Sequence, residues 1–224
     1  MKKLFSLLLT AAMLLTLAAC GTKSADADAA DTTDDPAATE ATDPTEEAPT
    51  ETTDTTPVDA PTGEGGKPLI AYFSWSGNTA KLARMIADET GGELFAIEPE
   101  TPYSDDYDAV VDQAKVEQNE NARPAVANRV ENWGDYDTVF VGYPNWWSDV
   151  PMVMQTFLES YDWSGKTVIP FCTSGGGGFG NGISSITAAT SGAAVLEGFH
   201  VSGSRVDNAQ SDVTAWINEL GLSK

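Results

Sequence analysis

Histidine and cysteine are nearly missing from this chain. His200 is the one histidine, and Cys20 and Cys172 are the two cysteines, among 224 residues. One histidine and one cysteine in the folded part cannot build a zinc site. No Gly-x-Ser-x-Gly stands anywhere, which disfavours a serine hydrolase. Basic residues are also scarce: 12 Lys and Arg stand against 34 Asp and Glu, for a formal charge of -22. That acidity argues against nucleic acid and against an anionic membrane as ligands of the domain itself. The longest apolar run, Leu4 to Leu17, is too short to span a bilayer comfortably.

That run belongs to a processing segment. Lys2 and Lys3 form a positive n-region, Leu4 to Leu17 an apolar h-region, and small residues follow. Leu17-Ala18-Ala19-Cys20 resembles the bacterial lipoprotein box. The resemblance implies a signal peptide over residues 1–19, cleavage before Cys20, and a diacylglyceryl group on its thiol. An ordinary secretory signal with an incidental cysteine is the plainer reading. With Cys20 acylated, no intrachain disulfide can form, and Cys172, at the end of an apolar segment, reads as a small buried hydrophobe. Residues 20–66 then comprise the lipidated cysteine and a low-complexity linker of Thr, Asp, Glu, Ala and Pro without aromatics. Such a segment cannot bury enough apolar surface to offset chain entropy, so it is expected to stay disordered. It serves as a tether away from a membrane or as a solubilising spacer. The expected location is the cell membrane, facing outside the cytoplasm, with membrane contact through lipid on Cys20 only.

Residues 67–224 form the folded domain, long enough for one core. Strand-like and helix-like segments alternate along it. The strands are expected at Leu69–Phe73, Glu93–Glu98, Thr138–Gly142, Thr167–Cys172 and Ala193–Val201. The helices are expected at Thr79–Thr90, Tyr107–Asn121, from Asp149-Val150-Pro151 onward, at Gly182–Thr190 and at Ser211–Leu222. Five strands alternating with five helices predict an α/β fold, a parallel sheet with helices on both faces. Ligands of such sheets sit beyond the carboxyl ends of the strands, where strand order reverses. Asp105, Asp106, Asp108 and Asp112 read as a solvated helix start rather than a calcium site.

Three loops carry the chemistry. The first, after the first strand, holds Ser74, Ser76, Gly77, Asn78 and Thr79, hydroxyls and an amide at a helix start that suit a phosphate dianion. It lacks the lysine of the nucleoside-triphosphate loop, and a polar turn with capping residues explains it equally well. The second, after the third strand, holds Pro144, Asn145, Trp146 and Trp147. Two indoles in a loop need a reason, and a flat ring stacking on one of them supplies it. The other indole is expected to pack beneath the loop. The third, after the fourth strand, holds Thr173, Ser174, Gly175 and Gly176, where the backbone can approach a ligand closely. In the strand order 2-1-3-4-5 these three loops converge. Their order and spacing point to a flavin mononucleotide (FMN) site.

Residues 68–222 resemble the flavodoxin-like family, specifically a small bacterial branch. The likeness lies in Gly142-Tyr143-Pro144-Asn145-Trp146-Trp147, in Lys166-Thr167-Val168-Ile169-Pro170-Phe171-Cys172-Thr173-Ser174-Gly175, and in Glu117 to Pro124. The resemblance implies a three-layer sandwich around a five-stranded parallel sheet of order 2-1-3-4-5. It also implies non-covalent FMN, with Ser74 to Thr79 on the phosphate, Pro144 to Trp147 flanking the ring, and Thr173 to Gly176 at its polar edge. The implied function is a redox flavoprotein, either an electron carrier for a partner protein or an FMN-dependent reductase of a small acceptor such as a quinone. The alternative is a binding or scaffold lipoprotein that keeps the fold without flavin. Phe179 is a candidate cover for the outer ring face, Tyr143 a candidate proton donor, and His200 a packed residue of the last strand. Asp149 is the acidic residue nearest in sequence to the ring-flanking loop.

Overall fold

The computed structural model of the chain describes residues 66–224. Cys20, the signal segment and the linker lie outside the described residues. The elements are β1 (Leu69–Tyr72), α1 (Asn78–Thr90), β2 (Glu93–Ala96), α2 (Tyr107–Asn119), β3 (Thr138–Pro144), α3 (Met152–Leu158), β4 (Thr167–Ser174), α4 (Gly182–Ala189), β5 (Ala194–Val195), β6 (Phe199–Ser202) and α5 (Gln210–Glu219). All pairings are parallel, in the order β2-β1-β3-β4-β5, with β6 also on β4. This is the expected order of a flavodoxin-like α/β sheet.

Strand side chains alternate between faces, so each central strand feeds two cores. Leu69, Ala71, Val139, Val141 and Val168 pack against Val153, Met154, Phe157 and Leu158 of α3 and Ile186 of α4. Ile70, Phe140, Ile169 and Phe171 pack against Leu82, Ala83 and Ile86 of α1 and Val213, Trp216 and Ile217 of α5. β1 is buried along its whole length, as a strand covered on both faces must be. Gly142 is required by this packing: a Cβ there would lie 2.1 Å from Phe171 Cζ on the adjacent strand. Among the described residues no helix is long and apolar enough to cross a membrane.

The expected fifth strand is two strands. Thr167 and Val168 pair with Ala194 and Val195, whereas Phe171 and Cys172 pair with Phe199 and His200, so the edge gains one residue between the pieces. The break lies opposite Pro170, which has no N–H to give. Leu196 N–H still reaches Val168 O at 2.9 Å, and the ladder resumes only after Gly198. The third helix also starts later than expected, with Pro151 as its N-cap. Asp149 belongs instead to a tight turn: Trp146 and Asp149 exchange two backbone hydrogen bonds of 3.0 Å.

Candidate functional site

The first loop leaves β1 through Phe73 and enters α1 at Gly77, whose φ of +87° is a conformation that favours glycine. α1 has no acidic residue in its first turn and no side-chain N-cap bond. Ser74 Oγ accepts the N–H of Ala80 at 3.2 Å. Among the described residues no intramolecular acceptor meets the N–H groups of Gly77, Asn78 and Thr79. They stand at the positive end of a 13-residue helix, which favours negative charge there.

The second loop is a two-residue turn with Trp147 at φ +51° and Ser148 at φ +62°. Both are left-handed, the geometry of hairpin turns usually made by Asn-Gly, and it costs on the order of 1–3 kcal/mol per non-glycine residue. Three contacts from α2 hold it. Trp147 Nε1–H donates to Val111 O at 3.0 Å, Gln118 Nε2–H donates to Trp147 O at 3.2 Å, and Lys115 Nζ lies 4.8 Å from the Trp147 ring centroid. Trp147 is therefore the exposed indole, at 47%. Trp146 is the packed one, edge-on to Phe73 and Tyr103 with centroids 5.4 and 5.1 Å away.

The third loop turns back on β4. Gly176 N–H donates to Ser174 Oγ at 3.1 Å, and that hydroxyl also shares a hydrogen bond of 2.8 Å with His200 Nε2. Burial and nearby Arg205 lower the His200 pKa, so the ring is favoured neutral. Thr173 Oγ1 shares a buried hydrogen bond of 2.9 Å with Thr79 Oγ1, tying the third loop to the first. Asn145 Nδ2 donates to Gly178 O at 2.7 Å, tying the third to the second.

A cleft of about 410 Å³ opens where these loops meet. Of the expected site residues, Ser76, Asn78, Pro144, Asn145, Trp146, Thr173, Ser174 and Gly175 line it. Ser74, Gly77, Thr79, Trp147 and Gly176 do not. Ser74 accepts the Ala80 N–H, Gly77 shapes the turn, the Thr79 hydroxyl is spent on Thr173, Trp147 leans on α2, and Gly176 holds Ser174. Trp75, Tyr107, Ser202, Gly203 and Ser204 complete the wall. Trp75 lies between two serines of the first loop, and Ser202-Gly203-Ser204 repeats the hydroxyl-and-glycine pattern of that loop after the last strand, the signal in the sequence that marks them.

No charged side chain lines the cleft. Asp149 faces another cavity, with Arg123 and Gln155, and its Oδ1 accepts the N–H of Val150. Tyr143 is fully buried, its hydroxyl donating to Phe179 O at 3.3 Å, and burial raises its pKa far above the usual phenol. That removes it as a proton donor to a ligand. Phe179 packs over Gly198 and 6.0 Å from the His200 ring, and it does not line the cleft. Cys172 is buried, and burial pushes its thiol up to about 12, so it is no nucleophile at neutral pH.

The cleft thus offers neutral donors and a helix N-terminus at one end, and Trp146 with Pro144 and Asn145 at the other. A family profile described as flavodoxin matches residues 67–220. The chain belongs to the flavodoxin family. Solved structures agree with that membership. A candidate flavoprotein from Bacteroides eggerthii DSM 20697 is 35% identical, with a TM-score of 0.62 over 70% of this chain and 99% of that one. One from Bacteroides uniformis ATCC 8492 is 33% identical, with a TM-score of 0.62 over 69% and 99%. A flavoprotein from Lactobacillus acidophilus NCFM, solved in complex with FMN, is 26% identical, with a TM-score of 0.52 over 63% and 97%. Comparison with curated proteins gives no match. In this flavodoxin-family domain the cleft lies at the carboxyl ends of β1, β3, β4 and β6, where ligands of such sheets bind.

Proposed function

We propose that the domain binds FMN non-covalently in this cleft and that the protein is a redox flavoprotein, anchored outside the cytoplasmic membrane by lipid on Cys20. The observation that carries the reading is the set of unpaired N–H groups at the start of α1, beside Ser76 and Asn78 and opposite Ser202 and Ser204. A phosphate needs those donors, and no lysine or arginine replaces them there. The ring would lie against Pro144, Asn145 and Trp146, with Thr173 to Gly175 at its edge. The FMN complex of the Lactobacillus relative supports the choice of flavin.

Bound FMN supplies reversible one- and two-electron transfer. The residues of this chain bind and orient it. The Thr79–Thr173 and Asn145–Gly178 bonds fix three loops relative to one another, and neutral His200 holds Ser174 without adding charge. Held there, FMN would exchange electrons with a partner protein or with a small acceptor such as a quinone.

Purification is the direct test. The protein is expected to carry, or to take up, one flavin per chain, released by acid as FMN. A colourless protein that takes up no FMN would support the flavin-free binding alternative instead. The anchor is tested by detergent partitioning. Two or more acyl chains, at about 0.8 kcal/mol per buried CH₂, make attachment effectively permanent, and Cys20→Ser is expected to release the chain to the aqueous phase. Wild type in the aqueous phase would refute the lipid.

A further inference from the structure

A groove of about 510 Å³ runs between α5 and the start of β6. Asp212, Ala215, Trp216, Glu219 and Leu220 form one wall, and Glu197, Gly198 and Phe199 form the other. The first five recur three and four positions apart, so they share one helical face. The groove has no lining residue in common with the cofactor cleft. Among the described strands β6 pairs only with β4, so its outer side is an open edge.

The groove has an aromatic floor and an acidic rim. Phe199 and Trp216 stack with centroids 5.1 Å apart, and half-buried Leu220 extends the apolar surface. Glu197, Asp212 and Glu219 are exposed, and none is in an ion pair among the described residues. No lysine or arginine lines the groove. Trp216 is 9% exposed, and its Nε1–H is the one buried side-chain donor without a partner among the described residues. Buried donors are normally satisfied, so this one calls for an acceptor.

These features select an occupant. Asp212 and Glu219 stand two helical turns apart, about 10 Å along the axis. Spread that way, the rim does not converge on one ion, and no cluster able to hold a metal exists among the described residues. Carboxylates repel anionic lipid. A second copy of the chain brings 34 acidic side chains against 12 basic, and the tether over residues 21–66 brings only Lys23, so neither complements the rim. An extended basic segment does. Cations two to four residues apart in it lie about 7–14 Å apart and match the spaced carboxylates. Its apolar side chains pack on the aromatic floor, and its main chain brings carbonyls of the kind that the Trp216 N–H lacks.

We infer that the groove between α5 and β6 is the docking site of a partner protein, which binds through an extended segment that alternates lysine or arginine with apolar residues. Groove and cleft share no residue, so the partner docks while the carboxyl end of the sheet stays open. The inference does not depend on FMN.

The probe is the end-blocked synthetic peptide Lys-Leu-Lys-Phe-Lys, added to the full chain and followed by calorimetry. One peptide per chain is expected to bind saturably, and more weakly as salt screens the rim. Glu197→Gln, Asp212→Asn and Glu219→Gln combined, three exposed changes, are expected to weaken it about tenfold. Asp105→Asn, Asp108→Asn and Asp112→Asn combined make the same change of charge around the start of α2 and should alter it less than about twofold. A peptide with serine for leucine and phenylalanine should bind at least about fivefold more weakly. Amide shifts of wild type on peptide addition should centre on residues 197–199 and 212–220, and they carry the test if the first variant does not fold. Equal losses in the two triple variants would reduce the binding to general attraction by an acidic protein and overturn the inference. So would no saturable binding to wild type, a serine peptide that binds as well, or shifts centred on residues 74–79.

Discussion

Ser76→Ala is expected to weaken FMN about tenfold and riboflavin hardly at all, while Thr79→Ala acts mainly on stability. Both side chains stand in one loop, yet the structure gives them different work. Ser76 is exposed and lines the cleft. A hydrogen bond to a charged group contributes about 1.5–3 kcal/mol, and exposure to water argues for the low end. About 1.4 kcal/mol is a factor of ten in affinity. Thr79 is 1% exposed and its hydroxyl is paired with that of Thr173 at 2.9 Å. Its loss leaves the Thr173 hydroxyl buried without a partner, at a cost of about 1–3 kcal/mol of folding free energy. Thr79→Ser keeps the hydroxyl and is expected to restore most of that loss. Fluorescence titration with both ligands, together with urea unfolding of the apo chain, reads the two effects separately. Equal losses of FMN and riboflavin in Ser76→Ala would put the phosphate elsewhere. Unchanged stability in Thr79→Ala would deny the buried pair.

Two further outcomes follow from the core. Gly142→Ala places a methyl 2.1 Å from Phe171 Cζ in a close-packed sheet and is expected to cost about 1–3 kcal/mol or more, with partial relief from Phe171→Leu, both read from urea midpoints. Stability is also expected to fall at alkaline pH. The Cys172 pKa rises from 9.0 to about 12 on folding, so its contribution is complete below pH 9 and is lost between pH 9 and 12, as the unfolded chain ionises first. The slope is about 1.4 kcal/mol per pH unit, and half-buried Tyr103 and buried Tyr143 add loss of the same sign from about pH 10. Cys172→Ala should flatten the curve between pH 9 and 10, and an unchanged slope there would refute the buried thiol.

The strands and the apolar faces of the helices were legible because those signals are local, whereas the strand order came with the family resemblance. Val139-Phe140-Val141 and Val168-Ile169 read as buried strands, and the sheet places them at its centre. The break in the last strand was not legible, because its cause is Pro170 on the neighbouring strand. Which indole is packed was also undecidable from the loop itself. Phe73 and Tyr103 bury Trp146, and Lys115 and Val111 draw Trp147 outward, and all four come from other segments. Thr79 shows the same limit: its hydroxyl suits phosphate in sequence, but a partner 94 residues away takes it. Tyr107 and Ser202 to Ser204 joined the cleft only through tertiary placement.

Amide chemical shifts of residues 67–224, followed by NMR as FMN is added, test the central claim most directly. The account predicts saturating changes at residues 74–79, 145–147, 173–176 and 202–204, the four loops that converge at the carboxyl end of the sheet. Saturation should occur at one FMN per chain. No saturable change, or changes centred on the groove between Phe199 and Trp216 at the opposite edge of the core, would contradict it.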